Sequence, residues 1–258
     1  MILWNCLSSR FEDGRHDAMT EGARAAGFDV LPAAASPTPR RGDVLLSWNL
    51  HRDRAAEAQR WRDKGGLVIV AEEGFTRGLH PVSHFSMARD GHNGAGWWPV
   101  GSPARWASLG LRMAPWRTHG GHILVCGQRG IGSPQMASPP GWHEDVARRL
   151  RLLTDRPVVV RPHPGKDKSK AVPLVEQLTG AWAVVVWSSA VATRALLMGI
   201  PVFFEAPQHV LAGAMCRDIR GVNNPPLPDR LPVFERMAWA QWSLNEIRAG
   251  EPFRRLCA

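Results

Sequence analysis

Three short apolar runs between residues 158 and 207 limit what this chain can fold into. They are Val158–Arg161, Ala183–Trp187 and Val202–Phe204, and none alternates apolar with polar residues. A strand that alternates has one wet face. A strand that does not is covered on both, as strands of parallel sheets are. Between the second and third runs stand Ser188, Ser189, Thr193 and a string of small apolar residues, closed by Gly199 and Pro201. Serine hydroxyls accept bonds from first-turn N–H groups, and Gly followed by Pro ends a helix. The segment therefore reads strand, loop, helix, strand, loop, helix, strand. A helix that follows a parallel strand points its unpaired N–H groups at an anion, favoured by about 0.3–1 kcal/mol per charge when exposed. Ligands of open α/β sheets bind at that carboxyl end. Arg161, His163 and Lys166 follow the first run, so the combination suits a diphosphate.

His163-Pro164 after a strand, and then SSAVATRALLMGIPVFFEAP, resemble the donor half of GT-B glycosyltransferases, in particular the capsule-type and phage-encoded, DNA-modifying branches. The resemblance covers residues 119–207 and is looser elsewhere. It implies an α/β fold of two Rossmann-like domains with parallel sheets facing a cleft. It also implies a nucleotide-sugar donor, a UDP-sugar foremost, and no other cofactor. On this resemblance the donor residues are Gly127, Arg129, Gly130, Arg161, His163, Lys166, Ser188, Ser189, Thr193 and Glu205. The alternative is an ordinary Rossmann-like βαβ unit with polar loops.

The chain before this region alternates in the same way. Strands are expected at Ile2–Cys6, Asp29–Leu31, Asp43–Trp48 and Leu67–Ala71, with helices at His16–Gly27 and Asp53–Lys64, which argues a doubly wound α/β domain. From Gly78 to Gly121 the sequence turns rich in Gly, Pro, Trp and His, with a short strand expected at Phe85–Ala88 and a linker at Pro115–Gly121. His122–Cys126 opens the second domain. The turn after it, Gly127 to Ser133, is spaced G-x-x-G-x-G, which is not a dinucleotide fingerprint. A helix follows at His143–Leu153, with Arg148, Arg149 and Arg151 as a solvated face. The domains expected are 1–118 and 119–232. Residues 233–258 follow, where Phe234, Met237, Ala238, Trp242 and Ile247 recur at helical spacing and predict one helix over Val233–Ala249. By the GT-B resemblance that helix packs back on the first domain; a helix that closes the second is the alternative.

Transfer of a sugar requires stabilisation of the leaving diphosphate and, for inversion, a base for the acceptor hydroxyl. Asp90 ranks first as base, because a Gly-rich loop can place it; Glu73 and Glu72 follow at a strand end. Contacts to the acceptor are expected from His51, Arg52, Arg77, His92, Asn93 and Trp97. No D-x-D motif is present, so the expected mechanism is free of metal.

Charge bears on the acceptor. The 258 residues carry a formal charge of +9, and 12 Trp stand beside no Tyr, so the Trp/Arg-rich stretch from Arg89 to Arg117 suggests a polyanion. With the phage resemblance, that points to double-stranded DNA bearing hydroxymethylated pyrimidines, flipped out for reaction. A surface polysaccharide or lipid-linked glycan is the second acceptor class. A non-enzymatic basic nucleotide- or nucleic-acid-binding protein is the alternative to an enzyme. No run of 18 apolar residues and no signal-like start are present, and four scattered cysteines form no C-x-x-C pair. The expectation is a protein of the cytoplasm (of the host, if phage-encoded) with reduced thiols and no membrane insertion.

Overall fold

The computed structural model describes residues 1–51, 53–132, 136–165 and 172–258. It is an α/β protein of two compact units, Met1–Leu109 with Glu235–Ala258, and Gly110–Phe234.

The first unit begins with β1 (Ile2–Asn5), α1 (Arg15–Ala25), β2 (Asp29–Leu31), β3 (Val44–Trp48), α2 (Asp53–Asp63) and β4 (Leu67–Glu73). These four strands pair in parallel in the order β4-β3-β1-β2. Their apolar runs are buried on both faces: Val44, Leu45, Leu46 and Val68 to Ala71 are fully enclosed. On one face Trp61 of α2 stacks on Trp4 with ring centroids 6.0 Å apart.

The next strand, β5 (His84–Arg89), pairs antiparallel with β4, Glu73 opposite Phe85 and Ile69 opposite Arg89. The reason is in the connection. Gly74–Ser83 contains no helix and is shorter than the dozen or so residues that a parallel crossover needs. The chain must turn back beside the strand it has just left. After α3 (Ala104–Ser108) it departs for the second unit.

There, β6 (His122–Cys126), α4 (Trp142–Leu150), β7 (Val158–Arg161), α5 (Leu174–Thr179), β8 (Ala181–Val186), α6 (Val191–Leu197) and β9 (Val202–Phe204) build a four-stranded sheet in the order β7-β6-β8-β9. Every pairing is parallel. The stretch expected as a linker is instead packed into this unit. Ala114 N–H donates to Leu197 O at 2.8 Å and Arg117 N–H to Gly199 O at 2.7 Å. The Arg117 guanidinium ties the carbonyls of Leu178, Thr179 and Ala181. Arg230 lies over Trp116 and donates to Ala114 O.

The helix expected over Val233–Ala249 is not one helix. It is α7 (Leu231–Ala238), an extended β10 (Gln241–Ser243), and α8 (Leu244–Arg248), followed by α9 (Glu251–Leu256). β10 adds to the edge of the first sheet, antiparallel to β5, with Gln241 opposite Ser86. Ser243 then restarts the helix. Its hydroxyl accepts from Glu246 N–H, while the Glu246 carboxylate accepts from Ser243 N–H, a reciprocal capping box. Trp242 fits a helical period in the sequence, yet it lies in β10, where the adjacent Gln241 and Trp242 are both buried. α8 packs on α1 where Gly22 lets the backbones meet; a Cβ there would sit 1.8 Å from Ile247 O. No helix among the described residues is long and apolar enough to cross a membrane.

Candidate active site

At the carboxyl ends of β1, β3 and β4 the first unit gathers Asp13, Arg15, Asn49, Glu72 and Glu73. Asn49 follows β3 in a left-handed conformation (φ 52°), which directs the chain away from the sheet. Its N–H donates to Ala71 O, and its side-chain oxygen accepts from His51 N–H. Glu72 and Glu73 are the last residues of β4, so strand alternation sends their side chains to opposite faces.

Arg15, at the start of α1, is only 7 % exposed. Its guanidinium lies 4.1 Å from the ring centroid of Trp48, 4.4 Å from Phe11 and 4.8 Å from Phe85. It forms a close forked pair with Asp13 and reaches Glu73 Oε1 at 3.0 Å. Arg77 approaches the same Glu73 oxygen at 3.3 Å. The pairing holds the Asp13 carboxyl below its usual range. Burial, helped by the neighbouring Glu73 charge, pushes Glu72 above the usual range despite hydrogen bonds from Glu73 N–H and the Asn49 side chain.

Asp90 is elsewhere. Because β5 runs antiparallel, its far end lies beside the start of β4: Asp90 N–H donates to Val68 O at 2.9 Å. Asp90 therefore sits at the amino ends of the parallel strands, not at the carboxyl ends where its role was expected. Its carboxylate accepts from Arg62 Nε at 2.7 Å. His92, Asn93 and Trp97 share that end. Burial takes His92 down to about 4, Asn93 is buried, and Trp97 bridges Arg89 through its backbone while its ring lies under the Arg89 guanidinium. Of the expected acceptor residues, only His51 and Arg77 lie at the carboxyl end; Arg52 is outside the described residues.

In the second unit the loops after β6, β7, β8 and β9 come to one end of the sheet. Gly127 N–H donates to Arg161 O at 2.8 Å, and a Cβ at 127 would press on the His143 ring at 3.3 Å. Arg129 and Gly130 are exposed at the next positions. His163 is exposed, and its Nδ1 accepts from Gly165 N–H at 3.0 Å, which puts the neutral ring's proton on Nε2. Arg161 turns toward α5, binding Val172 O and, closely, the Gln177 side chain.

The two serines differ. Ser189 Oγ accepts from Val191 N–H at 3.3 Å, but the N-cap of α6 is Ala190 and no side chain caps it, so the expected capping by the serines is not found. Ser188 does not cap: it is buried, donates to Met136 O at 2.8 Å, and is gripped by Gln128, which accepts from its N–H and donates to its hydroxyl. Thr193 is fully enclosed in α6. The Glu205 carboxylate accepts from Trp142 Nε1 at 2.7 Å and Arg149 at 2.8 Å, so Arg149 belongs to this end rather than to a solvated face. Lys166 and Ser133 lie outside the described residues.

Sequence reasoning missed Arg15, Gln128 and His209. His209 is buried against Phe204, and its Nε2 faces Ser189 O at 3.4 Å while Nδ1 accepts from Leu211 N–H. Burial holds it neutral, with a pKa of about 4. Among the described residues, no group of three or more His, Cys, Asp or Glu is placed to hold a metal ion.

No family model matches the sequence, and no curated protein matches it. Solved structures do resemble it. One is Thermosulfurimonas dismutans KpsC, beta Kdo 2,7 transferase, at 15 % identity over 99 % of each chain with a TM-score of 0.54. Another is Thermosulfurimonas dismutans KpsC, beta Kdo 2,4 transferase, at 14 % identity over 96 % of this chain and 98 % of that one, with a TM-score of 0.57. At such identity the likeness is one of fold, and it spans both units of this chain.

Proposed function

We propose that this chain is a glycosyltransferase that moves a sugar from a nucleotide-linked donor to a hydroxyl of a surface polysaccharide or lipid-linked glycan. The reading rests on Glu73, held by Arg15 at the carboxyl ends of the first sheet. It is supported by a fold shared along nearly the whole chain with proteins described as Kdo transferases. The glycan is preferred to a base in DNA for the same reason, and Kdo is the first donor sugar to try.

A hydroxyl attacks well only as a base takes its proton. We assign that base to Glu73. Arg15 and Arg77 both approach Oε1, which orients the carboxylate, and its side chain keeps 31 % exposure. Glu72 is more enclosed and is engaged by Glu73 N–H and Asn49. On the donor side, Arg129 supplies positive charge for the leaving phosphate, with the exposed His163 at the same end of the sheet. Gly127 keeps the loop close to the sheet. The Gln128–Ser188 clamp holds the first and third loops in register.

The test offers UDP-, GDP- and CMP-sugars, the Kdo donor among them, to capsule-type oligosaccharides and to hydroxymethylated DNA. Label is expected on oligosaccharide. Glu73→Gln should lower kcat by about 10²–10⁴-fold with little change in donor KM, and Glu72→Gln should do less. Unchanged turnover in Glu73→Gln would move the base to Glu72. A wild-type protein that neither transfers nor hydrolyses any donor would leave a basic nucleotide-binding protein.

A further inference from the structure

In the first unit lies an open pocket of about 290 Å³ lined by His80, Val82, His84, Leu109, Asn245 and the Arg105–Glu246 pair, among others. Only the backbone links it to the candidate site: Gly74 N–H donates to His84 O at 2.9 Å, and alternation along β5 turns the His84 side chain to the face opposite Phe85 and Glu73. We infer that this pocket binds one uncharged, hydroxyl-rich sugar ring of the acceptor glycan. The inference rests on the glycosyltransferase reading for its role, though not for its test.

Charge in the pocket is already closed. Arg105 donates to Glu246 Oε1 at 2.6 Å, Ala238 O at 2.8 Å and Gln241 O at 2.8 Å, and lies over the rings of Trp242 and Trp239. The other Glu246 oxygen accepts from Ser243 N–H and Oγ. A cation and an anion that satisfy each other offer no counter-charge to a phosphate or a carboxylate. An acidic sugar therefore gains nothing here.

The two histidines supply the recognition. Their rings meet edge to face with centroids 5.0 Å apart. His80 Nδ1 lies 3.0 Å from Val82 N–H and 3.1 Å from Val82 O, so either tautomer of its ring finds a partner in Val82. His84 Nδ1 lies 3.0 Å from Val82 O, an acceptor, so that nitrogen holds the proton and Nε2 is left as an acceptor. Burial and the neighbouring His80 lower the His84 pKa, which favours the neutral ring. His84 thus offers an acceptor, and His80 can present either a donor or an acceptor at Nε2, which matches a hydroxyl group. Val82 and Leu109 add apolar surface for the C–H face of a sugar. The volume is at the low edge of the roughly 300–1,000 Å³ of small-molecule sites, enough for one ring and not for a chain.

The experiment follows the imidazole carbon–proton resonances of His80 and His84 in the whole protein during titration with neutral hexoses and short neutral oligosaccharides. Uronic acids serve as the charged comparison. Both histidines should shift together and saturate at millimolar neutral sugar at pH 7.5. Asn245→Leu, checked as folded by its thermal melt, should abolish the shift by filling the pocket. No shift with neutral sugars, or a shift with uronic acids alone, overturns the inference. Because binding is read directly, a protein without transferase activity can still pass or fail this test. If transfer is found, His80→Ala should raise the KM of the acceptor by about tenfold or more and leave the KM of the donor unchanged.

Discussion

Arg15 is a cation taken almost wholly out of water, and three aromatic faces and two carboxylates compensate it. Cation–π contacts contribute about 0.5–2 kcal/mol each, the more so when desolvated, and the forked pair with Asp13 fixes the plane of the guanidinium. No local motif announces such a residue. Phe11, Trp48 and Phe85 come from a loop and two strands, so only the folded sheet assembles them. His209 was equally hidden, and it carries a pH prediction. Its folded pKa of about 4 lies below the ordinary 6.5, so between these values the unfolded chain binds more protons than the folded one. Stability is then full above pH 6.5, declines as pH falls toward 4 by up to about 1.4 kcal/mol per pH unit, and levels off below. Chemical denaturation at a series of pH values should show this, and His209→Gln should flatten it. Burial lowers His92 to about 4 as well, so it adds a like slope, and His209→Gln removes His209's share alone.

At the scale of elements, the strands were the legible part. Runs such as Val68–Ala71 and Val184–Val186 have no polar alternation, and each is buried on both faces of a sheet. Direction was harder to read, and direction decides the site. The sequence makes a strand of 85–88, but which end of the sheet Asp90 occupies depends on whether that strand runs with β4 or against it. The length of Gly74–Ser83 held the answer, since a helix-free connection that short cannot cross over. The Ser243-x-x-Glu246 capping box was likewise in view as the start of a new helix. Gly22 could not be read, because what makes it necessary is a carbonyl on α8 far along the chain. Gly22→Ala should destabilise the first unit by about 2 kcal/mol or more, since the new methyl meets backbone that cannot rotate away. A urea melt would register the loss, and an unchanged midpoint would mean that α8 shifts freely on α1.

For the molecule as a whole, the +9 charge and the tryptophans have a common explanation that composition could not supply. Nine arginines among the described residues lie over aromatic rings of the protein itself, eight of them over tryptophan. Rings already covered in this way are not platforms for a flipped base. The net charge still attracts polyanions at long range. Binding to duplex DNA should accordingly be weak, lost by about 0.2 M salt, and equal within twofold for hydroxymethylated and unmodified duplexes. Fluorescence anisotropy across a salt series decides it, and a marked preference for the modified base would restore DNA as the acceptor.

The placement of β10 sets an order on synthesis. The first sheet is completed by residues 241–243, which leave the ribosome after the whole of the second unit. Until then β5 is an open edge, with unpaired N–H and C=O groups that invite association with another nascent chain. The half of the protein made first is therefore the half that finishes last. The interval in which Gly110–Phe234 is translated is when the growing polypeptide most needs a chaperone.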